Sequence, residues 1–326
     1  MAKYFVTGTA GFIGCKVSEM LLRQGHEVIG VDNLNDAYDV RLKHWRLEKL
    51  LNFSRFVFKE VDITDCDTAT TIAEHVYGAD AIINFAARAG VRQSFECPRV
   101  YVDTNVTGTL NLLELCRRQR IKKFVLASTS SLYGSRNPRP FREDADTSCP
   151  LTPYAASKKG AEALCYSYHS MYGVDISILR YFTVYGPAGR PDMLPFRLVQ
   201  WISEGRPVTI YGDGKQERDF TFVDDISEGT IAALRPLGFE IINLGSDQPI
   251  RIEECVKLVE SLVGKSASLS FKERHPADVF ATWADIGKAK SLLSWQPHTR
   301  YQQGFRALVE WYEQHRSWAS EISTVQ

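Results

Sequence analysis

Three glycines set the first constraint on this chain. They stand at 8, 11 and 14 in Val6-Thr7-Gly8-Thr9-Ala10-Gly11-Phe12-Ile13-Gly14, where a short apolar run gives way to helical periodicity. Glycine there permits a tight strand-to-helix turn, close backbone approach to a bound group and close helix–strand packing. The helix N-terminus that follows favours an anion such as a pyrophosphate. A plain βα turn can carry the same triplet, so its context decides. Eighteen residues after Gly14, Val28-Ile29-Gly30-Val31 ends in Asp32-Asn33, a carboxylate where an adenosine ribose 2′-hydroxyl would lie. A 2′-phosphate would be repelled, and no arginine follows Asp32 directly, so the expected cofactor is NAD rather than NADP. Asp62-Ile63, after the next apolar run, are placed for the adenine edge; the plain alternative for Asp62 is a helix N-cap.

The rest of the first half alternates in the same way. Strands are expected at Lys3–Thr7, Glu27–Val31, Arg55–Val61, Ala81–Asn84, Lys123–Ala127 and Asp175–Leu179. Helices are expected near Gly11–Gln24, Val40–Leu51, Thr68–Val76, Val102–Arg118 and Tyr154–Tyr172. Such alternation implies an α/β fold, a Rossmann-type doubly wound parallel sheet over residues 1–182. After Tyr181, glycines and prolines from Gly186 to Gly214 shorten the elements, predicting a smaller, loop-rich C-terminal substrate domain over 183–326. Its chain is expected to return to the first sheet within 220–246, near Ile241–Gly245.

Charge and cysteine usage narrow the class. Lys plus Arg equals Asp plus Glu at 39 each, which speaks against nucleic acid or an anionic membrane as the main partner. The N-terminus runs straight into a strand-like segment without a signal-peptide cleavage site, and no apolar run reaches 18 residues. Seven cysteines, never spaced C-x-x-C, read as reduced thiols, not a disulfide or zinc framework, and no metal is expected. Together these predict a cytoplasmic protein.

The reaction chemistry is expected at Tyr154-Ala155-Ala156-Ser157-Lys158. At i and i+4 the phenol and ammonium share one helix face. A phenol that works near pH 7 must come down from an ordinary value near 10, at about 4 kcal/mol. A neighbouring ammonium and a cationic nicotinamide ring would together supply that by stabilising the phenolate. The spacing alone also describes a surface helix pair. Thr129 and Ser130, just after the fifth strand, favour the catalytic reading, because strand carboxyl ends face the cofactor crevice.

At this point the chain resembles the extended short-chain dehydrogenase/reductase family, and within it the NAD-dependent nucleotide-sugar epimerases. The resemblance rests on GTAGFIG, Asp32, Phe85-Ala86-Ala87, Thr104-Asn105-Val106-Thr107-Gly108-Thr109, STSSLYG, YAASK, Arg180-Tyr181-Phe182-Thr183-Val184-Tyr185-Gly186-Pro187 and Arg218-Asp219-Phe220, in that order. It implies Thr129, Tyr154 and Lys158 as catalytic residues. It adds Phe85, Ala86, Ala87, Asn105 and Tyr181 to the cofactor contacts, which Tyr154 and Lys158 share. It implies hydride transfer at C4 of a nucleotide-linked hexose.

Dehydratases of the family carry an Asp-Glu pair after the threonine, and decarboxylases a glutamate two positions after it. Here Ser130 and Ser131 stand there, so simple 4-epimerisation is expected. Gly189-Arg190-Pro191-Asp192-Met193, Ala89-Gly90-Val91-Arg92 and the run Val31–Lys43 resemble the UDP-glucuronate 4-epimerases, as does Thr183 in place of the asparagine of glucose epimerases. Arg190 has a fork able to grip a carboxylate, or else a loop pairing with Asp192. Arg218 is expected on the diphosphate, Tyr211 on uracil, and Arg88, Ser130, Ser131, Thr183 and Asp278 elsewhere on the substrate. Glucose epimerases place a second diphosphate arginine three residues before that aspartate; here the position is His275. The alternatives are UDP-glucose 4-epimerisation, UDP-glucuronate decarboxylation, or an NAD-holding redox sensor without turnover. Family members pair through helices equivalent to Val102–Arg118 and Tyr154–Tyr172, which implies a homodimer.

Overall fold

The structure is a computed structural model that describes residues 1–65, 72–274 and 276–324. Its strands are β1 (Lys3–Thr7), β2 (Glu27–Asp32), β3 (Phe56–Glu60), β4 (Ala81–Asn84), β5 (Lys123–Thr129), β6 (Asp175–Tyr181), β7 (Thr183–Tyr185), β8 (Val208–Tyr211), β9 (Glu217–Phe222), β10 (Phe239–Leu244), β11 (Pro249–Arg251) and β12 (Leu269–Lys272). Seven of them form one sheet in the order β10-β6-β5-β4-β1-β2-β3, and every pair is parallel. β4 and β5 read as continuous buried runs because helices cover both faces of the sheet. From β1 the chain winds outward to β2 and β3, then returns to β4 on the other side of β1. That reversal opens a crevice at the strand carboxyl ends.

β2, β5 and β6 each run past their expected ends, to Asp32, Thr129 and Tyr181. The ladder continues because neighbours still offer partners, as Thr129 does to Tyr181. The expected helix at Val102–Arg118 starts earlier, at Pro98, and is interrupted by a π turn over Asp103–Thr107. There the Gly108 N–H reaches back to the Asp103 carbonyl, while the Thr109 hydroxyl holds the Asn105 carbonyl at 2.7 Å. Such a widened turn re-aims a side chain, here the Asn105 amide. Of the expected helix at Thr68–Val76 the described part is Ala73–Val76; residues 66–71 lie outside the described residues.

β11-β9-β7 form a three-stranded sheet and β12-β8 a pair, both outside the main sheet. Around them a second apolar core gathers Tyr185, Phe196, Phe220, Phe305 and Tyr312, and the helix Arg41–Leu51 contributes Leu42 to it. The chain comes back to the main sheet through β10, paired with β6. It comes back again at Ile286–Trp295, which shares a core with Ile226 and Leu244.

The turn after β1 is the tightest point of the first layer. Gly8 has φ +66°, and a Cβ on Gly14 would stand 2.2 Å from the Gly8 carbonyl oxygen. The obstacle is backbone, so no side-chain rearrangement can relieve it. Gly14→Ala should lower the unfolding free energy by about 1–3 kcal/mol, read from denaturant midpoints. An unchanged midpoint would mean that the helix does not sit this close to the turn.

Candidate active site

The crevice is a cleft of about 330 Å³, and both halves of the expected site open into it. In the cofactor half, the helix Phe12–Arg23 begins at Gly11 with no side-chain cap. Its first-turn N–H groups, including those of Phe12, Ile13 and Gly14, therefore point free toward the cleft mouth. At the end of β2, Asp32 accepts the Ala10 N–H at 3.2 Å and the Leu34 N–H at 2.9 Å. The Lys43 ammonium stands 3.6 Å from it, almost wholly buried. Asn33 donates to Asp62 at 2.7 Å, and Asp62 also accepts the Thr64 N–H and hydroxyl. Burial acts to raise the Asp62 carboxyl, but those donors and the field of Arg88 outweigh it and hold the group below its usual range. Asp62 thus holds the turn at Thr64 and also lines the cleft; the segment that would show the expected helix N-cap runs into residues 66–71, outside the described residues.

Ile63, Phe85, Ala86, Ala87 and Tyr181 complete the wall. Thr7 ties the Ala86 N–H to Asn84, and the rings of Phe85 and Tyr181 stack at 6.4 Å. Asn105 is different. It is fully buried behind the cleft, where its amide brackets Arg88 from both sides, accepting its N–H at 2.9 Å and donating to its carbonyl at 3.0 Å. It also donates to Ser157, so it positions the loop and helix rather than lining the cavity. An anion-receptive helix start, a carboxylate at the end of β2 and an apolar wall together fit a dinucleotide with an unphosphorylated ribose.

In the reaction half, Thr152 caps the helix Pro153–Tyr172 by accepting the Ala155 N–H at 3.1 Å. Tyr154 and Lys158 share its inner face and line the same cleft as the glycine turn. Thr129 accepts the Ser131 N–H and donates to the Ser131 hydroxyl, both at 3.1 Å, and lines the same cleft as the Tyr154 phenol. Burial raises the phenol, opposed by the Thr129 hydroxyl and the charge of Arg190. The chain by itself therefore keeps Tyr154 protonated. The ammonium of Lys158 goes to the Ala127 carbonyl at 2.8 Å, and burial brings it down to about 8 against the pull of Glu162.

Two features here escaped the sequence reading. Glu162, one turn beyond Lys158, is buried in a fork with Arg180 at 2.8 and 3.0 Å and accepts the Ser128 hydroxyl at 2.6 Å. Tyr101 sets its ring edge against Tyr154 at 6.1 Å. The i+4 spacing from Lys158 to Glu162 was visible beforehand; the arginine that neutralises it was 18 residues away.

On the substrate side of the reaction half, Ser130, Ser131, Thr183 and Arg190 line the cleft. Arg190 points two donors at Asp192, at 3.0 and 2.6 Å, and one at the Ala89 carbonyl, so the alternative pairing with Asp192 is the one present. Arg88, Tyr211, Arg218 and Asp278 do not border this cavity. Tyr211 carries Arg92 over its ring at 3.9 Å, and Arg92 pairs with Asp278 at 2.5 Å. Burial lowers Arg218, the charges of Arg92 and Arg274 push the same way, and Asp278 resists. Arg197 is lowered by burial and feels the same Arg92. Arg92, Arg218 and Arg274 thus gather around Asp278 beside the cleft, with Arg197 close to Arg92 and Asp192, an excess of cations that suits a multiply charged anion. Arg197 came without a sequence signal. His275 lies outside the described residues.

Comparison with known proteins agrees with this geometry. The profile described as "NAD dependent epimerase/dehydratase family" matches residues 4–245. The chain belongs to that family. A UDP-glucuronate 4-epimerase of Thermodesulfobacterium geofontis is 56% identical over 312 residues, covering 95% of this chain and 96% of that protein. The crystal structure of UDP-glucuronic acid 4-epimerase from Bacillus cereus, in complex with UDP-glucuronic acid and NAD, is 38% identical with a TM-score of 0.90, covering 96% and 99%. A UDP-glucose 4-epimerase of Thermotoga maritima with UDP-glucose is 28% identical at TM-score 0.87, covering 96% and 99%. Among the described residues, no helix is long and apolar enough to cross a membrane.

For this family member the buried lysine has a measurable signature. The folded value of Lys158, about 8, lies below its ordinary 10.5, so between those values the unfolded chain binds the extra proton. Stability should therefore rise with pH across that window, and the burden is full below pH 8. Relative to Lys158→Met, the protein should gain about 3 kcal/mol from pH 8 to 10.5. Parallel pH dependences of denaturant unfolding in the two proteins would show that the ammonium is solvated.

Proposed function

We propose that this chain interconverts UDP-glucuronate and UDP-galacturonate by transient oxidation at C4. The observation that carries the reading is one cleft lined by the glycine turn, Thr129, Tyr154 and Lys158, with hydroxyls and no carboxylate at the two positions after Thr129. A 4,6-elimination or a decarboxylation aided by a second acid has no group there to serve it. The chemistry NAD supplies when bound is a reversible hydride store for C4.

The residues divide the remaining work. Gly8, Gly11, Gly14 and the start of the helix Phe12–Arg23 receive the cofactor's pyrophosphate, and Asp32 its ribose. Lys158 anchors the nicotinamide end. Thr129 relays a proton between the sugar 4-hydroxyl and Tyr154, which takes it as the C–H bond breaks and returns it later. The 4-keto sugar turns about its diphosphate link and presents its other face. Arg92, Arg218 and Arg274 hold that diphosphate, and Tyr211 the base. A 4-keto uronate is a β-keto acid and loses CO₂ readily. Ser130, Ser131 and Thr183, backed by the charge of Arg190, keep the carboxylate where that loss is disfavoured.

The coarse division is residues 1–182, joined by 220–246, for the cofactor and 183–326 for the nucleotide sugar. The exposed Val102, Tyr166 and Tyr172 on the helices over 98–118 and 153–172 support a homodimer packed through those faces. The balanced charge and free cysteines support a cytoplasmic enzyme. A second reading, UDP-glucose 4-epimerase, is favoured by one observation: Asp192 already fills two donors of Arg190.

Incubation with UDP-glucuronate and no added nucleotide, resolved by NMR, decides between them. UDP-galacturonate alone is the expected product. UDP-pentose with CO₂, or turnover of UDP-glucose only, would overturn the proposal. Tyr154→Phe should lower kcat by at least about 10³-fold with the fold intact by circular dichroism, a loss of about 4 kcal/mol in barrier terms. Arg190→Ala should cost at least tenfold more in kcat/KM on UDP-glucuronate than on UDP-glucose; equal losses would free Arg190 from the carboxylate.

A further inference from the structure

Arg46 lies on the helix Arg41–Leu51, outside every motif that marks the site, yet its side chain is 2% exposed. Its guanidinium reaches three separate segments. Nη1 donates to the Ala10 carbonyl at 3.2 Å and to the Tyr38 hydroxyl at 2.7 Å. Nε and Nη2 both donate to the Ala188 carbonyl, at 3.2 and 2.6 Å, and Nη2 reaches the Gly189 carbonyl at 3.4 Å. Among the described residues no carboxylate pairs with it. A buried cation with only neutral acceptors is expensive to hold, so its geometry is selected for something other than stability.

Both loops it grips lead into the cleft. Ala10 is the middle of the glycine turn, and its N–H is held by Asp32 while its carbonyl is held by Arg46. The peptides on either side of Ala10 are each held, which sets the direction of the N–H groups that follow. Ala188 has φ +52°, a left-handed conformation that is unfavourable for a non-glycine residue. Two N–H groups on its carbonyl hold it there. Arg190 follows two residues later and lines the same cleft.

We propose that Arg46 is a positioning residue that locks the cofactor turn and the Arg190 loop into one frame, so that dinucleotide retention and discrimination for the uronate depend on the same side chain. The second half of this rests on Arg190 reading the sugar carboxylate; the first half does not. Lysine keeps the charge but loses the fork, so it cannot span the Ala10 and Ala188 carbonyls together.

The test compares Arg46→Met, Arg46→Lys and Arg190→Ala with the parent. NAD dissociation is followed by nicotinamide fluorescence after reduction in the purified protein, and kcat and KM are measured on UDP-glucuronate and UDP-glucose at saturating NAD. Both Arg46 variants should release the dinucleotide at least tenfold faster. They should also raise KM for UDP-glucuronate at least fivefold more than KM for UDP-glucose. If Arg46→Met does not fold, Arg46→Lys carries the test alone. Parent-like dinucleotide release, or equal losses on both sugars while Arg190→Ala still discriminates them, would overturn the proposal. If Arg190→Ala fails to discriminate, the carboxylate reading falls. Faster dinucleotide release in the Arg46 variants would then still stand as evidence for the lock on the cofactor turn.

Discussion

Parallel pairing governs the rest of this molecule. Because all seven strands of the main sheet run the same way, their carboxyl ends arrive at one edge. Gly8, Asp32, Phe85, Thr129 and Tyr181 come from five different strands and meet there although more than 170 positions separate the first from the last. The reversal of winding beside β1 then leaves a gap between helices at that edge and nowhere else along it. Chemistry collects in the gap because topology delivers backbone ends to it, before any side chain is chosen.

Burial is the second constraint, and it explains which charges are tolerated. Glu162 and Arg180 are paired by two short bonds and further satisfied by Ser128 and Tyr133. Lys123 is matched to Asp175 and Ser177 in the same manner. Lys158 has no carboxylate at bonding distance, and it is the lysine whose ammonium is pushed down to about 8. Glu162 and Lys123 are thus neutralised by a partner of opposite charge, whereas Lys158, buried beside the reaction centre, rests on a carbonyl. Tyr154 follows the same logic from the other side. Its phenol is held up by burial until positive charge approaches it, so the protein alone stores a proton donor rather than a base.

Much of this was legible in the chain, and the boundary between what was and was not is physical. Strand and helix positions in the first half follow from periodicity, which is local, and the glycine turn follows from steric demands within seven residues. Tyr154, Lys158 and Thr129 were expected at one site from a shared helix face, a strand end and the family motifs together, since the i, i+4 spacing alone also describes a surface pair. All three line one cleft. Asn105 was assigned to the cofactor, but a π turn carries its amide to the Arg88 backbone instead. A helical repeat cannot foretell a turn that widens. Arg46 and Arg197 act through partners brought near only by tertiary packing, so no pattern along the chain marks them. Arg92 and Arg180 stand in family motifs, but their partners Tyr211, Asp278 and Glu162 were set by the same packing. Arg190 shows the same limit: its place in the cleft was foreseen, while its pairing with Asp192 depended on loop geometry.

Anions at both ends of the cleft give the proposed reaction its freedom in the middle. At one end the uncapped start of the helix Phe12–Arg23 offers N–H groups and dipole to a pyrophosphate. Beside the cleft on the other side, Arg92, Arg197, Arg218 and Arg274 outnumber Asp192 and Asp278, and among the described residues the buried Nε of Arg197 has no acceptor. A buried donor left empty costs about 1–3 kcal/mol, and a diphosphate is a ligand that can fill several such donors at once. Between these two electrostatic anchors the cleft lining includes a group of hydroxyls, from Thr129, Ser130, Ser131 and Thr183. Hydroxyls donate and accept with equal ease and reorient by rotation, so they can satisfy either face of a hexose. An epimerase must bind both of its sugars with nearly equal strength and let one become the other without release. Strong, fixed charges at the ends with adaptable hydroxyls at the centre achieve that, because the turning sugar exchanges one set of weak bonds for another while its diphosphate stays where it was.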